Sequence, residues 1–325
     1  MDKREAITAS NLGPVVSLLT WIMAALVITA VGIKFTLSSI IPGKRNREDV
    51  ALLLATGFSI GFTISMSLAV SNGIGKHQET LSSHQLESLQ KAVYSADILL
   101  VLVSNCVQAS VLFFLHEVTP DRLHQRLIYG IAGFVALFFI PSFFVAVFPC
   151  RSPDVWAVLG VQCIDQLSFW EAFAGVNVVI ESALVLLLAF VVYPLMMERR
   201  RKAIVISGFA ARLLVIGAFV AQFYEARSLK SHLDRTFNAW KYLLTTVFVQ
   251  GLSIITVCIP YIRNLLLGME SGMIQTGHFR LPSRHGTEIP LRPIPISKLS
   301  TNISGNAGAE LEEPATCYGK KDGHI

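Results

Sequence analysis

Charge is scarce in this chain. Its 325 residues include 27 Lys or Arg and 22 Asp or Glu, 15% together, against 53% hydrophobic residues. A soluble domain of that size carries nearer a quarter charged residues, so the composition belongs to the polytopic membrane class. Cysteine is sparse too, at five residues. None of the paired spacings of a zinc site occurs, and no phosphate-cradling glycine loop or nucleophile motif is present. No metal, cofactor or motif-borne catalytic chemistry is therefore expected. Internal repeats are missing as well, and an odd number of apolar runs cannot split into the equal halves of many secondary transporters. The net charge of +5 does not signal nucleic acid, because the basic residues gather at the ends of the apolar runs.

What the chain does have is seven of those runs, at 15–40, 50–70, 92–115, 127–148, 169–195, 203–224 and 240–262. Each reaches the ~20 residues needed to cross hydrocarbon. Backbone groups in lipid must bond within their own segment, so runs of this length are helices. The expected fold is all-α, a seven-helix membrane bundle. "GKRNRED", "DRLHQR" and "ERRRK" follow the first, third and fifth runs. The three loops that hold them carry nine Lys or Arg in 27 residues, against six in 56 for the alternating loops. The positive-inside rule then puts the N-terminus outside and the C-terminal tail in the cytosol. The first run is too long for a cleaved signal peptide, and its positive charges follow it. The expected organisation is a short outer N-terminus (1–14), a membrane domain (15–264) and a polar, breaker-rich cytosolic tail (265–325) without a core of its own.

Under that topology Cys150 and Cys163, in "FPCRSPDVWAVLGVQC", face an oxidising compartment. A disulfide between them would contribute about 3 kcal/mol by closing the loop; the alternative is two free thiols. Cys106 and Cys258 lie inside runs and Cys317 in the tail, where free thiols are expected.

Ionisable and polar groups within hydrocarbon are costly and face the bundle interior. Run three carries Asp97, Asn105 and Gln108, and run five carries Asn177 and Glu181 one turn apart. Run six adds Arg212, and run seven Gln250. Asn105, Glu181 and Gln250 fall near mid-depth, and Arg212 has the length to reach Glu181. Two readings stay open: a polar knot that fixes helix register, or the floor of a ligand pocket opening outward. Lys34 and Lys241, near run ends, are expected to snorkel, and Trp21, Trp170 and Trp240 to anchor at the interfaces. Asp49 fits the start of a helix, and His77, His116 and His124 are expected in solvated loops.

A retinal protein needs a Lys within its last helix for a Schiff base. From Tyr242 to Asn264 there is none, and Lys241 sits at the outer edge. Several stretches, in order, nevertheless resemble the fungal rhodopsin-domain integral membrane proteins, the satratoxin-cluster type and Pth-eleven-like receptors among them. They are the charged entry ending at Asp49, "NGIGKH" (Asn72 to His77), and the outer loop with Cys150, Trp156 and Cys163. "NVVIE" (Asn177 to Glu181), "PLMMERRRK" and "SIITVCIPYIRNLLLGMESG", with Pro260 and Arg263, complete the series. The likeness covers residues 15 to 272. Gln222 stands where many members carry Arg, and Val249 or Gln250 where many carry Glu, so a ligand site is not transferred at those positions.

The resemblance implies a multi-pass protein of the plasma membrane or an endomembrane, with the plasma membrane favoured. It also implies receptor roles or association with secondary metabolism. The expected function is a non-enzymatic receptor or sensor in the lipid bilayer. It would take a small-molecule ligand outside and a cytosolic signalling partner at Arg199, Arg200, Arg201 and Lys202. The same four residues also serve orientation and anionic-lipid contact. A membrane-embedded terpene cyclase using Glu181 or Asp97 as its acid is the enzymatic alternative, and a transporter the third.

Overall fold

The computed structural model describes residues 13–40, 47–75, 82–119, 121–150, 156, 163–192, 199–230 and 235–270. Side chains are described for all of these except 37, 39–40, 118, 191–192, 199–210, 235–237 and 260–270. The expected tail beyond Glu270, the first twelve residues, His77 and the side chains of Arg199–Lys202, Pro260 and Arg263 lie outside that description.

Among the described residues seven helices follow one another: α1 (Gly13–Ile40), α2 (Arg47–Ser71), α3 (Ser83–Val118), α4 (Arg122–Val147), α5 (Gln166–Val192), α6 (Arg199–Lys230) and α7 (Arg235–Glu270). All helices but α6 contain described apolar stretches of 22 to 35 residues, enough to cross a bilayer. The chain is an all-helical, multi-pass membrane bundle. Its outward faces are those of a protein dissolved in lipid: Leu137 and Leu186 are 70% and 69% exposed, an arrangement that water would penalise.

α7 is the hub. It packs on α6 and α1 and also touches α2 and α3, while α3 packs on α2 and α4. One apolar core, with Leu100, Trp170, Phe173 and Leu243, sits at the end where α4 meets α5. A second, with Leu52, Val103, Ile254 and Cys258, joins α1, α2, α3 and α7 further down.

Local chemistry sets the helix ends. After α2 the chain turns through Gly73 (φ 112°) and Gly75 (φ 85°), backbone that only glycine adopts without strain. The Gly73 N–H donates to the Val70 carbonyl and the Ile74 N–H to Ala69, which closes α2's last carbonyls as in a helix C-cap. The "NGIG" stretch is thus a helix stop. Ser82 then starts α3 with a capping box: its hydroxyl accepts from the Gln85 N–H, and Gln85 accepts from the Ser82 N–H. That cap places the helix start nine residues before the run at 92, because a helix need not stop where hydrocarbon does. α7 likewise continues to Glu270, past the expected boundary at 264. Arg199–Lys202, expected in a loop, form the first turn of α6.

Three side-chain expectations are corrected. Lys34 does not snorkel: it is 2% exposed and its ammonium lies 2.8 Å from Asp49. Trp170 is no interfacial anchor but a core residue, 5% exposed, packed edge-on against Phe169 and Phe173. His116 and His124 lie on α3 and α4, where they contact Tyr129 and Asp121. Cys150 and Cys163 are joined by a disulfide, which ties the end of α4 to the approach of α5. Beside it the Ile164 N–H donates to the Pro149 carbonyl.

Candidate ligand vestibule

At the disulfide end, the first turns of α3, α5 and α7 and the last turn of α6 stand apart around a cavity of about 290 Å³. It is close to the lower limit of ~300–1,000 Å³ usual for small-molecule sites. Its α3 wall is a single helical stripe, Leu86, Leu89, Gln90, Val93 and Asp97, at the i, i+3, i+4 spacing that puts side chains on one face. Leu167 and Trp170 of α5 and Ala239, Tyr242 and Leu243 of α7 face that stripe. The disulfide at Cys163, with Ile164 and Asp165, completes the wall.

The wall is mostly hydrocarbon, and its charged groups are of one sign. Asp165 and Asp97 line it, and among the described residues no Lys, Arg or His does. Asp165 lies before α5 and accepts from the Ser168 hydroxyl at 2.5 Å. That bond, helped by the Ser168 N–H and the field of Lys230, holds its carboxyl below the ordinary Asp range. Lys230 itself is bonded to the Glu171 carboxylate and to the Ser168 hydroxyl, so the cation whose field reaches Asp165 is already paired.

Asp97 is half-buried in the wall of the cavity. By the run boundaries it lies about 8 Å below the start of its span at ~1.5 Å per residue. It has no hydrogen-bond or ion-pair partner among the described residues. That separates it from Glu181, whose oxygen lies 2.5 Å from Arg212, and from Asp49, which is paired with Lys34. Tyr242, on the opposite wall, is 8% exposed, and its hydroxyl also has no hydrogen-bond partner among the described residues. Thr246, one turn on, is engaged elsewhere: it donates to the Tyr242 backbone carbonyl and accepts from Gln222, both at 2.9 Å.

The seven polar residues singled out in the sequence do not form one cluster. Only Asp97 reaches the cavity. Gln108 donates to Asn177 at 2.8 Å between α3 and α5, and Asn177 donates to the Phe173 carbonyl. Glu181 and Arg212, 1% and 5% exposed, join α5 to α6 below that bond. Gln250 faces the other way, toward Thr20, Ser59 and Thr63, around a space of about 10 Å³ that holds at most one water. Asn105 is half-buried on α3. Residue typing alone missed Tyr242, Trp170 and Asp165. The signal for the α3 wall was present, however, in the apolar spacing that leads from Leu86 to Asp97.

The chain does not fit a retinal Schiff base. Lys241 is exposed at the start of the α7 membrane stretch, with its ammonium 5.8 Å from the Trp240 ring. Lys34, the buried lysine, is on α1 and is held by Asp49. Among the described residues, the buried α7 groups that carry a polar oxygen or nitrogen are Tyr242, Thr246, Gln250, Ser253 and Thr256, none of them an amine.

Residues 18–268 match the model of the fungal rhodopsin domain. That is more than half of the chain, and the chain belongs to this family. No curated protein matches it.

Proposed function

We propose that this member of the fungal rhodopsin domain family is a non-enzymatic receptor or sensor of the plasma membrane. A small amphiphilic ligand would enter the vestibule, and the cytosolic output surface would be the basic start of α6. The observation that carries the reading is the coincidence of a ligand-sized cavity with Asp97, the carboxyl within the spans that no protein group engages among the described residues. The path inward is continuous. α7 lines the vestibule at Tyr242 and packs on α6, whose other end carries Arg199–Lys202. A shift of α7 against α6 would move that surface.

The test complements a strain lacking this chain with wild type, with Val93→Trp to fill the vestibule, or with Arg199–Lys202 made neutral. Both variants are expected to reach the membrane and leave the transcript profile like that of the deletion. If both restore the wild-type profile, the receptor reading is lost.

Asp97 also supports a second reading. A carboxyl in a mostly hydrocarbon cavity is the acid that a membrane terpene cyclase would need to protonate an epoxide or alkene, as part of a secondary-metabolite pathway. Glu181, held by Arg212 away from the cavity, is the weaker candidate. Microsomes given a prenylated epoxide decide it: a cyclised product that disappears in Asp97→Asn would favour the enzyme.

A further inference from the structure

We infer that the vestibule is selective for a protonated amine on a compact apolar body, with Asp97 as its counter-ion and Tyr242 as its second polar contact. The inference rests on the receptor reading for its biology but on the cavity alone for its chemistry.

Four observations converge. Among the described residues the walls offer carboxyls and no cation, so a carboxylate or phosphate ligand would bury its charge against like charge at several kcal/mol. Asp97 stands without a hydrogen-bond or ion-pair partner among the described residues, whereas Glu181 and Asp49 each hold a cation. A ligand ammonium would complete the same pattern a third time. The Tyr242 hydroxyl, in a residue nine-tenths buried, likewise has no hydrogen-bond partner within geometric reach among the described residues. It lines the same cavity as Asp97, and an ammonium paired with Asp97 has further donors to offer a second oxygen. Finally, Trp170 and Tyr242 supply ring faces or edges beside that point, and Leu86, Leu89, Val93 and Leu243 supply hydrocarbon for the rest of the ligand. Asp165, ionised at the mouth, adds a field of the right sign.

A neutral ligand would satisfy the hydrocarbon walls equally well, which defines the experiment. Full-length protein in nanodiscs is titrated with 2-phenylethylamine, 2-phenylethanol and phenylacetate. These three share a ring and differ at the head. Binding is read by thermal stabilisation and by tryptophan fluorescence. The amine is expected to bind at least tenfold more tightly than the alcohol, and the carboxylate not at all. Asp97→Asn should erase the preference for amine over alcohol, Asp97→Glu should keep part of it, and Tyr242→Phe should weaken the amine alone by a smaller factor. Among the described residues neither side-chain oxygen meets a hydrogen-bond or ion-pair partner within geometric reach, so these variants are expected to fold. Equal binding of alcohol and amine, or an amine preference unchanged in Asp97→Asn, overturns the cation assignment. So does no binding of the amine to folded wild type. None of these results touches the receptor reading, which falls only if Val93→Trp and the neutral α6 variant both restore the transcript profile.

Discussion

Lys34 and Asp49 show how far a residue's role depends on what cannot be read beside it. In the sequence, Lys34 is a cation near the end of an apolar run, and snorkelling to water is the cheapest fate for such a side chain. Asp49 begins the next helix, where a carboxylate is favourable by itself. Each explanation is sufficient alone, so nothing in the sequence suggested the pair. The structure turns Lys34 inward because α1 packs on α2, which brings the ammonium within 2.8 Å of the carboxylate. An ion pair this buried is expensive to break on one side, at about 3–5 kcal/mol, and much less so to replace whole. Asp49→Ala and Lys34→Met are each expected to lower unfolding stability in mild detergent by about that amount, and the double variant by clearly less than their sum. Additive losses would mean the two groups do not depend on each other. Glu181 and Arg212 were easier to foresee. Both lie well inside apolar runs, where an ionisable group has no route to water and must find a partner.

Helices, by contrast, were legible in number and order, because length and apolarity are properties of each segment by itself. Their ends were not, since caps rather than hydropathy decide where a helix stops. Ser82 caps α3, which starts at Ser83, nine residues ahead of its apolar run, and the glycines after Ser71 end α2. These termini make a separable prediction. Gly73→Ala and Gly75→Ala put a Cβ on backbone at φ 112° and 85° and are expected to cost about 1–3 kcal/mol each. Gly32→Ala, in a helical stretch where an added Cβ would meet no atom within 4 Å, is expected to be neutral or to stabilise by up to about 1 kcal/mol. Ser82→Ala should cost about 1 kcal/mol by removing the cap of α3. Melting curves of the four variants check the pattern. A loss at Gly32 as large as at Gly73 would mean that bulk, not backbone conformation, explains the "NGIG" stretch. The candidate site follows the same division. Its α3 stripe is local and readable. Its other walls come from α5, α6, α7 and a disulfide that only packing brings together.

For the molecule as a whole, the vestibule and the disulfide share one end, because Cys163 is part of the cavity wall. Orientation in the membrane therefore decides what the cavity can sense. The positive-inside rule, applied to the flanking cations, leads to the expectation that this end lies outside, and the disulfide is consistent with an oxidising side. A cysteine introduced as Val93→Cys lines the cavity and is expected to react with a small membrane-impermeant thiol reagent in intact cells. Cys258 is buried and should not react there. Cys317 and the sequon Asn302-Ile303-Ser304 lie outside the described residues, but the same rule assigns them to the cytosol. Cys317 should therefore label only after permeabilisation, and Asn302 should carry no glycan. Labelling of Cys317 in intact cells, or a sugar on Asn302, would turn the bundle over. The Asp97 cavity would then face the cytosol, and any ligand would have to be an intracellular metabolite rather than an external signal.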